Sequence, residues 1–522
     1  MPPQADHQQD GPSLWSLIDA GARTRPALPV LRDAHTEHTF RTLRDAVASG
    51  AAGLARAGVR PGSTVVLLFE NTVECAVAFL AAARLGARLV PAEPDSAPAA
   101  LTALRESLDE TADDGPELPP VDGAVLVGAA SRLTALAAAG AWPAHRTAAA
   151  AAPWTGQEEH PLPPPADGEQ PFLHQYTSGS TGEPKAAVHT QANLVRGARI
   201  YAEVHGYGEQ DRVLLAVPLL HSFGMVSGLV TSLLTGACLT LPGRFAPGAL
   251  LRELAAVRAT VLVAAPVAYD LLARSAAGSP GATGSVRLCL SSGAALARTT
   301  AERFRAATGL RIQQVYGSTE AGIIATQRSD DPAEDRGVGH VVPGVRIRLV
   351  GEDGLPVPDG RPGSLLVRTP AMFAGYHRRP EATRAAFVDG WYATGDVART
   401  DGDGRLHLVG RKDSFINVGG KKVNPAEVEA VMAGHPLVAE AAVWGEELPG
   451  GGERVRATVV AAGPLTAGEL TAYCRERLLA HQVPLGTEFV AALPRTSSGK
   501  IRRAALRDPH HHHGTPARGD DR

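Results

Sequence analysis

From about residue 60, short β-branched or leucine-rich runs take turns with longer alanine- and leucine-rich segments. The runs at 64–69, 124–127 and 260–264 have no polar alternate positions, which predicts strands buried on both faces. The segments at 72–86, 247–258 and 298–309 have helical length and composition. Strand and helix in alternation predict parallel sheets covered by helices, an α/β arrangement. The character changes at Gly337: residues 345–350 and 364–368 alternate apolar with polar side chains between Gly/Pro/Asp turns, the pattern of antiparallel strands with one wet face. Short helices are expected at 425–432 and 467–480. The Ala/Pro/Gly-rich residues 129–170 read as a surface connection. The expected division is an N-terminal domain over 1–410, a C-terminal domain over 411–508 and a disordered polar tail over 509–522. The four histidines at 510–513 fall in that tail and read as an unstructured end rather than a metal site.

Composition removes several classes. The formal net charge is -3 over 522 residues, which disfavours an electrostatic nucleic-acid binder. Four cysteines, Cys75, Cys238, Cys289 and Cys474, form no Cys-x-x-Cys pair and no disulfide framework. The first residues lack a basic-then-apolar pattern, and the longest apolar stretch, at 225–241, is short of the ~20 residues a membrane span needs. A cytoplasmic location without a membrane span is expected. Only five of the 51 basic residues are lysines: Lys185, Lys412, Lys421, Lys422 and Lys500.

The densest local signal is Tyr176-Thr-Ser-Gly-Ser-Thr-Gly-Glu-Pro-Lys185. Glycines let the backbone approach an anion with its N–H groups, and the hydroxyls of Thr177, Ser178, Ser180 and Thr181 add donors. Gly179 and Gly182 are three apart and Lys185 follows a proline, so this is not the Gly-x-x-x-x-Gly-Lys-Ser/Thr nucleotide loop.

This decapeptide resembles the phosphate loop of the adenylate-forming superfamily, which includes acyl-CoA synthetases, carrier-loading adenylation domains and luciferases. Four further segments resemble its motifs, in the family's order. They are Tyr316-Gly-Ser-Thr-Glu320, Tyr392-Ala-Thr-Gly-Asp396, residues 410–420 and Pro494-Arg-Thr-Ser-Ser-Gly-Lys500. The resemblance covers nearly the whole chain and is weakest before residue 60 and over 105–170. It implies a large N-terminal domain of two doubly wound sheets plus a distorted antiparallel barrel, and a small, mobile α+β C-terminal domain. It implies ATP, Mg²⁺ and CoA as cofactors and a small-molecule carboxylic acid as substrate.

The resemblance also implies residue roles. Thr177, Ser178, Gly179, Ser180, Thr181, Gly182 and Lys185 are expected to hold the β- and γ-phosphates. Glu320 is expected to bind Mg²⁺, and Thr319 to contact the α-phosphate. Tyr316 is expected to stack on adenine, with Gly293, Ala294, Ala295 and Gly317 forming the adenine and acyl-pocket backbone. Asp396 is expected to accept the ribose hydroxyls, and Arg411 to reach the ribose or phosphates. Lys500 is expected to stand between the incoming carboxylate and the α-phosphate, where an ammonium lowers their repulsion. The catalytic set is thus Lys500, His221, Thr181 and Glu320. His221 is expected beside the carboxylate, with Phe223, Gly224, Gly293, Gly317 and Ala321 lining the acid. Lys412 and Asp413 match the hinge, and Gly419 and Gly420 the pantetheine tunnel.

The segment after His221 has no Asp or Glu at 225–235 to pair an ammonium, which disfavours an amino-acid substrate. Its small side chains suggest a roomy pocket for a bulky apolar acid: aryl, medium-to-long acyl or polycyclic. Thioester formation with CoA is the first reading. The alternatives are loading of a separate phosphopantetheinyl carrier protein, activation of an unusual small acid for transfer to an amine, and a non-catalytic homologue. A homodimer is compatible with each of them.

Overall fold

The computed structural model describes residues 11–109, 124–149, 162–177, 185–243, 246–276, 283–328, 337–419, 421–448, 453–495 and 501–506. Ser178, Gly179, Ser180, Thr181, Gly182, Gly420, Lys500 and the tail at 509–522 lie outside the described residues. Backbone packing divides the chain into two compact units, residues 1–347 with 367–392 and residues 348–366 with 393–522. The motif around Asp396 thus groups with the second unit, whereas the sequence boundary was drawn at 410.

The first unit holds two large sheets. In the nine-stranded sheet, Cys238–Thr240, Arg212–Ala216, Val261–Ala264, Leu288–Ser291 and Ile312–Ser318 run parallel in that spatial order. In the seven-stranded sheet, Pro171–Thr177, Arg88–Ala92, Thr64–Leu68, Val125–Gly128 and Thr147–Ala149 are the parallel strands. Lys185–Thr190 and Gly375–Tyr376 close one edge antiparallel. The doubly apolar runs become central strands because helices cover both faces. Helix Val73–Leu85 starts where the Thr72 hydroxyl accepts the Cys75 N–H, and ends at Gly86, whose φ of 72° suits a residue without Cβ. Helix Pro247–Ala256 opens on a proline, which lacks the N–H that a first turn cannot use. Leu214, Leu254, Leu262, Cys289 and Phe304 pack with Tyr269 into one core cluster. The buried Tyr269 hydroxyl reaches the carbonyls of Leu262 and Leu290 at 3.0 and 2.9 Å, so its polar atom is satisfied.

Residues 129–170 are more than a connection. They contain helix Ala130–Ala138 and strand Thr147–Ala149. Leu133, Leu136 and Trp142 are buried against Val66 and Leu126. Two leucines three apart carry the helical face, and the surrounding alanines hid that period. The apolar stretch at 225–241 is also broken: a π-helical turn Met225–Val230 leads into helix Thr231–Thr235, which stops at Gly236 with φ 86°. Among the described residues, no helix is long and apolar enough to cross a membrane.

In the second unit, helices Pro425–Ala433 and Ala467–Arg475 pack on the three-stranded sheet of Val438–Glu447, Glu453–Ala461 and Gly486–Phe489. The latter helix is shorter than expected from 467–480. The antiparallel element foreseen from Gly337 onward is a five-stranded sheet that includes Gly363–Arg368, Trp391–Thr400 and Leu406–Arg411. The fold is α/β, with a large N-terminal and a smaller C-terminal part.

Candidate active site

The Gly/Ser/Thr-rich segment falls between two antiparallel strands, with Thr177 opposite Lys185. Lys185 is half-buried, and its Nζ stands 5.7 Å from the Tyr376 ring centroid. That ring is placed by the pairing of Gly375–Tyr376 with Lys185–Thr190. A cleft of about 520 Å³, lined by Ala92, Ser96, Leu101, Leu104, Tyr176 and Arg379, opens beside the first strand. It is separate from the segments expected to hold the acid.

Strand Ile312–Ser318 leaves the parallel sheet at its C-terminal end and turns back as Gly322–Thr326. The turn carries Thr319, Glu320 and Ala321. A Cβ on Gly317 would stand 2.1 Å from the Gly322 carbonyl oxygen, so only glycine permits this tight reversal. Glu320 is 9% exposed, and its Oε1 accepts the Tyr376 hydroxyl at 2.9 Å. Its backbone carbonyl accepts the Phe373 N–H at 2.8 Å. Burial, then the Glu320 and Tyr376 neighbours, push the Tyr392 phenol far above the ordinary tyrosine range, so Tyr392 stays a neutral donor. Phe373, Tyr376, Phe387 and Tyr392 form one aromatic cluster behind the carboxylate, with centroids 5.0–6.0 Å apart. His189 Nε2 lies 2.7 Å from the Thr319 carbonyl. Burial pulls the His189 pKa down to about 4, so at neutral pH the ring is uncharged and Nε2 carries the donated proton.

This geometry fits Mg²⁺. The phenols are neutral hydrogen-bond donors, so they orient the carboxylate and leave its charge to a cation, and oxygen is the ligand type Mg²⁺ takes. Among the described residues, no group of three or more His, Cys, Asp or Glu forms a protein-only metal cage. One carboxylate completed by substrate phosphates is the usual form of a nucleotide magnesium site. Tyr376 and His189 were not singled out from the sequence, and Tyr392 was named there only as the first residue of the motif ending at Asp396. Each acts through packing across strands, which one-dimensional spacing does not display.

His221 follows strand Arg212–Ala216 and caps a short helix, its Nδ1 accepting the Phe223 N–H at 3.4 Å. The turn before it is held from outside the segment. Asn71 donates to the Val217 carbonyl at 2.8 Å and accepts the Leu219 N–H at 2.7 Å, while Gln175 donates to the Leu220 carbonyl at 3.0 Å. The small residues that follow serve packing as well as any pocket. A Cβ on Gly224 would meet the Pro218 carbonyl at 2.5 Å, and one on Gly228 would meet Leu215 at 3.1 Å. Phe223, Gly224 and Ala321 are buried, with Phe223 beside Tyr201. His221, Gly293, Ala294, Tyr316 and Thr319 are partly exposed, and Ala295 and Gly317 are exposed. Gly293 sits at φ 89° just after strand Leu288–Ser291.

In the second unit, Asp396 stands opposite Arg411 in the ladder, with Arg411 Nε 3.7 Å from Asp396 Oδ1. The Asp396 N–H donates to the Thr394 hydroxyl at 3.0 Å, and the Arg411 guanidinium donates to the Thr394 carbonyl at 3.3 Å. Lys412 and Asp413 begin a 3-10 turn, Lys412–Ser414. Gly419, at φ 57°, begins the reversal between strands Ile416–Val418 and Lys421–Val423. Lys422 pairs with Glu352 at 2.7 Å, both exposed.

The AMP-binding enzyme family matches residues 18–377, and the AMP-binding enzyme C-terminal domain matches residues 427–500. The chain is 32% identical over 520 residues to a sulfoacetate–CoA ligase of Cupriavidus necator, covering 95% of this chain and 97% of that one. It is 34% identical over 491 residues to a feruloyl-CoA synthase of an Amycolatopsis species, covering 93% and 96%. Its fold is similar to o-succinylbenzoate CoA synthetase from Bacillus subtilis in complex with the acyl-adenylate intermediate. The TM-score is 0.84 at 28% identity, over 96% of this chain and 99% of that one. The chain belongs to the AMP-binding enzyme family and is an AMP-forming acid–CoA ligase that uses ATP, Mg²⁺ and CoA.

Proposed function

We propose that the acid is apolar (aryl, medium-to-long acyl or polycyclic) and that Lys500, His221, Thr181 and Glu320 serve its activation. The supporting observation is charge. Residues 221–243, 264–267 and 291–297 contain no Lys, Arg, Asp or Glu, so none of these segments offers a counterion to a second acidic or basic group on the substrate. The relative that acts on sulfoacetate handles a second anion, for which these segments hold no cation. Pocket size is a weaker guide than charge, since Gly224 and Gly228 are required for packing.

In the first half-reaction a carboxylate oxygen attacks the α-phosphorus of ATP and pyrophosphate leaves. In the second the CoA sulfur attacks the acyl carbon, AMP leaves and the thiol proton passes to solvent. Thr177, Ser178, Gly179, Ser180, Thr181, Gly182 and Lys185 hold the phosphates, Thr319 the α-phosphate, Tyr316 the adenine, and Asp396 with Arg411 the ribose. Glu320 would hold Mg²⁺, whose charge would offset that of the phosphates. A pyrophosphate-exchange screen across acids of rising size and charge tests the substrate class. Exchange is expected with aryl and acyl acids, and reaction confined to acetate-sized or dianionic acids overturns the reading. Product analysis with CoA, and with an amine in its place, checks that the acceptor is CoA.

The module from residue 411 is proposed to turn about Lys412–Asp413 between half-reactions, bringing Gly419 and Gly420 to the pantetheine path. Asp413→Pro fixes φ within that turn. It is expected to slow thioester formation at least about tenfold more than adenylation, a difference of about 1.4 kcal/mol in barrier. Equal losses in both half-reactions would count against rotation there.

A further inference from the structure

Both ends of the segment that carries Lys500 are fastened within the second unit by groups outside the catalytic set. Arg495 and Ile501 form an antiparallel bridge, and the Arg502 N–H donates to the Pro494 carbonyl at 2.8 Å. Leu493 and Leu506 are buried with Ala442, and Ile501 packs against that cluster. Residues 496–500 thus start and finish at one paired point, and Lys500 is bonded directly to Ile501.

Ion pairs tie that point to a strand and a helix. On one side Arg495 donates to Glu440 Oε2 at 2.9 Å. On the other, Arg503 spreads its guanidinium over the Glu429 carboxylate, Nη1 to Oε1 at 2.6 Å and Nη2 to Oε2 at 3.0 Å. Nη1 also donates to the Val443 carbonyl at 2.6 Å, and Glu429 Oε1 accepts the Val443 N–H at 2.7 Å. One bidentate pair therefore joins helix Pro425–Ala433, strand Val438–Glu447 and the short helix Arg503–Leu506, which starts just beyond Lys500. The planar fork fixes direction as well as distance, which a lysine's single point of charge does not. The Glu429 side chain is only 18% exposed, so water competes weakly for it.

We propose that Glu429 and Arg503 are positioning residues for adenylate formation, holding the backbone from which Lys500 reaches the α-phosphate. The proposal rests on the reading that Lys500 serves that step. An ammonium that must enter between two anions acts over a narrow range of position. Its stem is flexible, so the precision has to come from the backbone that anchors it. The charged atoms of Glu429 and Arg503 face one another and Val443, so the pair acts through that backbone.

The test measures both half-reactions in the full chain. Arg503→Met and Glu429→Gln are expected to slow acid-dependent pyrophosphate exchange about ten- to a hundredfold, the cost of about an ångström of misplacement. The loss is expected in kcat, with KM for ATP and for the acid changed less than about threefold. Thioester formation from a supplied acyl adenylate is expected to stay within about threefold of wild type. Arg503→Lys keeps the charge and loses the fork, so its exchange rate is expected to fall between those of wild type and Arg503→Met. In a Lys500→Ala background neither substitution is expected to slow exchange further, since nothing is left to position. A merely structural pair predicts equal loss in both half-reactions, and a pair acting elsewhere predicts additive losses with Lys500→Ala. Either result overturns the proposal, as does unchanged exchange. If Lys500→Ala itself leaves exchange unchanged, the reading of Lys500 fails and the proposal falls with it. If Lys500→Ala slows exchange while Arg503→Met and Glu429→Gln do not, the proposal fails alone.

Discussion

Lys500→Ala is expected to slow acyl-adenylate formation by about 10²–10³-fold, while thioester formation from a supplied acyl adenylate changes little. Attack on the α-phosphorus brings a carboxylate toward a polyanion, and charge develops on oxygens that only a nearby cation can stabilise. A compact ammonium on a flexible stem can enter that gap, where a wide guanidinium fork serves less well. The chain uses arginine for most of its positive charge; Lys185, Lys412 and Lys500 fall in segments resembling family motifs, and Lys421 and Lys422 directly follow one. Acid-dependent pyrophosphate exchange measures the first half-reaction, and AMP release from a supplied adenylate with CoA measures the second. Unchanged exchange in the variant removes Lys500 from the proposed chemistry. Equal loss in both half-reactions points instead to a damaged C-terminal unit.

Acid is expected to destabilise the protein sharply between about pH 6.5 and pH 4 in phosphate-free buffer. His174 and His205 are buried, and desolvation lowers their pKa values to about 3 and about 4. In the unfolded chain a histidine titrates near 6.5. Below that value the unfolded chain therefore binds protons that the folded chain refuses. The stability these rings contribute is fully present above pH 6.5 and is lost as pH falls toward the folded values. At pH 5 the loss is about 2 kcal/mol for each ring. Two such losses are a large fraction of the 5–15 kcal/mol typical of a whole domain. Denaturant unfolding at pH 7 and pH 5 measures this, and a flat profile overturns it. His189 and His377, also drawn down to about 4, add losses of the same size, so His205→Gln, neutral at both pH values, is expected to remove about a quarter of the difference.

The candidate site residues were named from the sequence because phosphate chemistry demands contiguous residues. A contiguous run of Gly, Ser and Thr, or the tight reversal at Gly317 that presents Glu320, is a local object. The supports of those residues were not legible. Tyr376 and Tyr392 reach Glu320 from segments more than fifty positions away. Asn71 and Gln175 fix the turn before His221 from another sheet. The helix Ala130–Ala138 escaped notice because alanine marks neither a core face nor a wet one.

The sequence by itself determined the α/β class, the parallel sheets, the order of the motifs and the family, since strand burial and phosphate binding both write short-range patterns. Only the tertiary structure decided which polar groups support Glu320 and the turn before His221. His174 and His377 stand 4.5 Å apart, ring centroid to ring centroid, because sheet pairing brings strands from distant parts of the chain together, and sheet pairing is a long-range contact that no local spacing encodes.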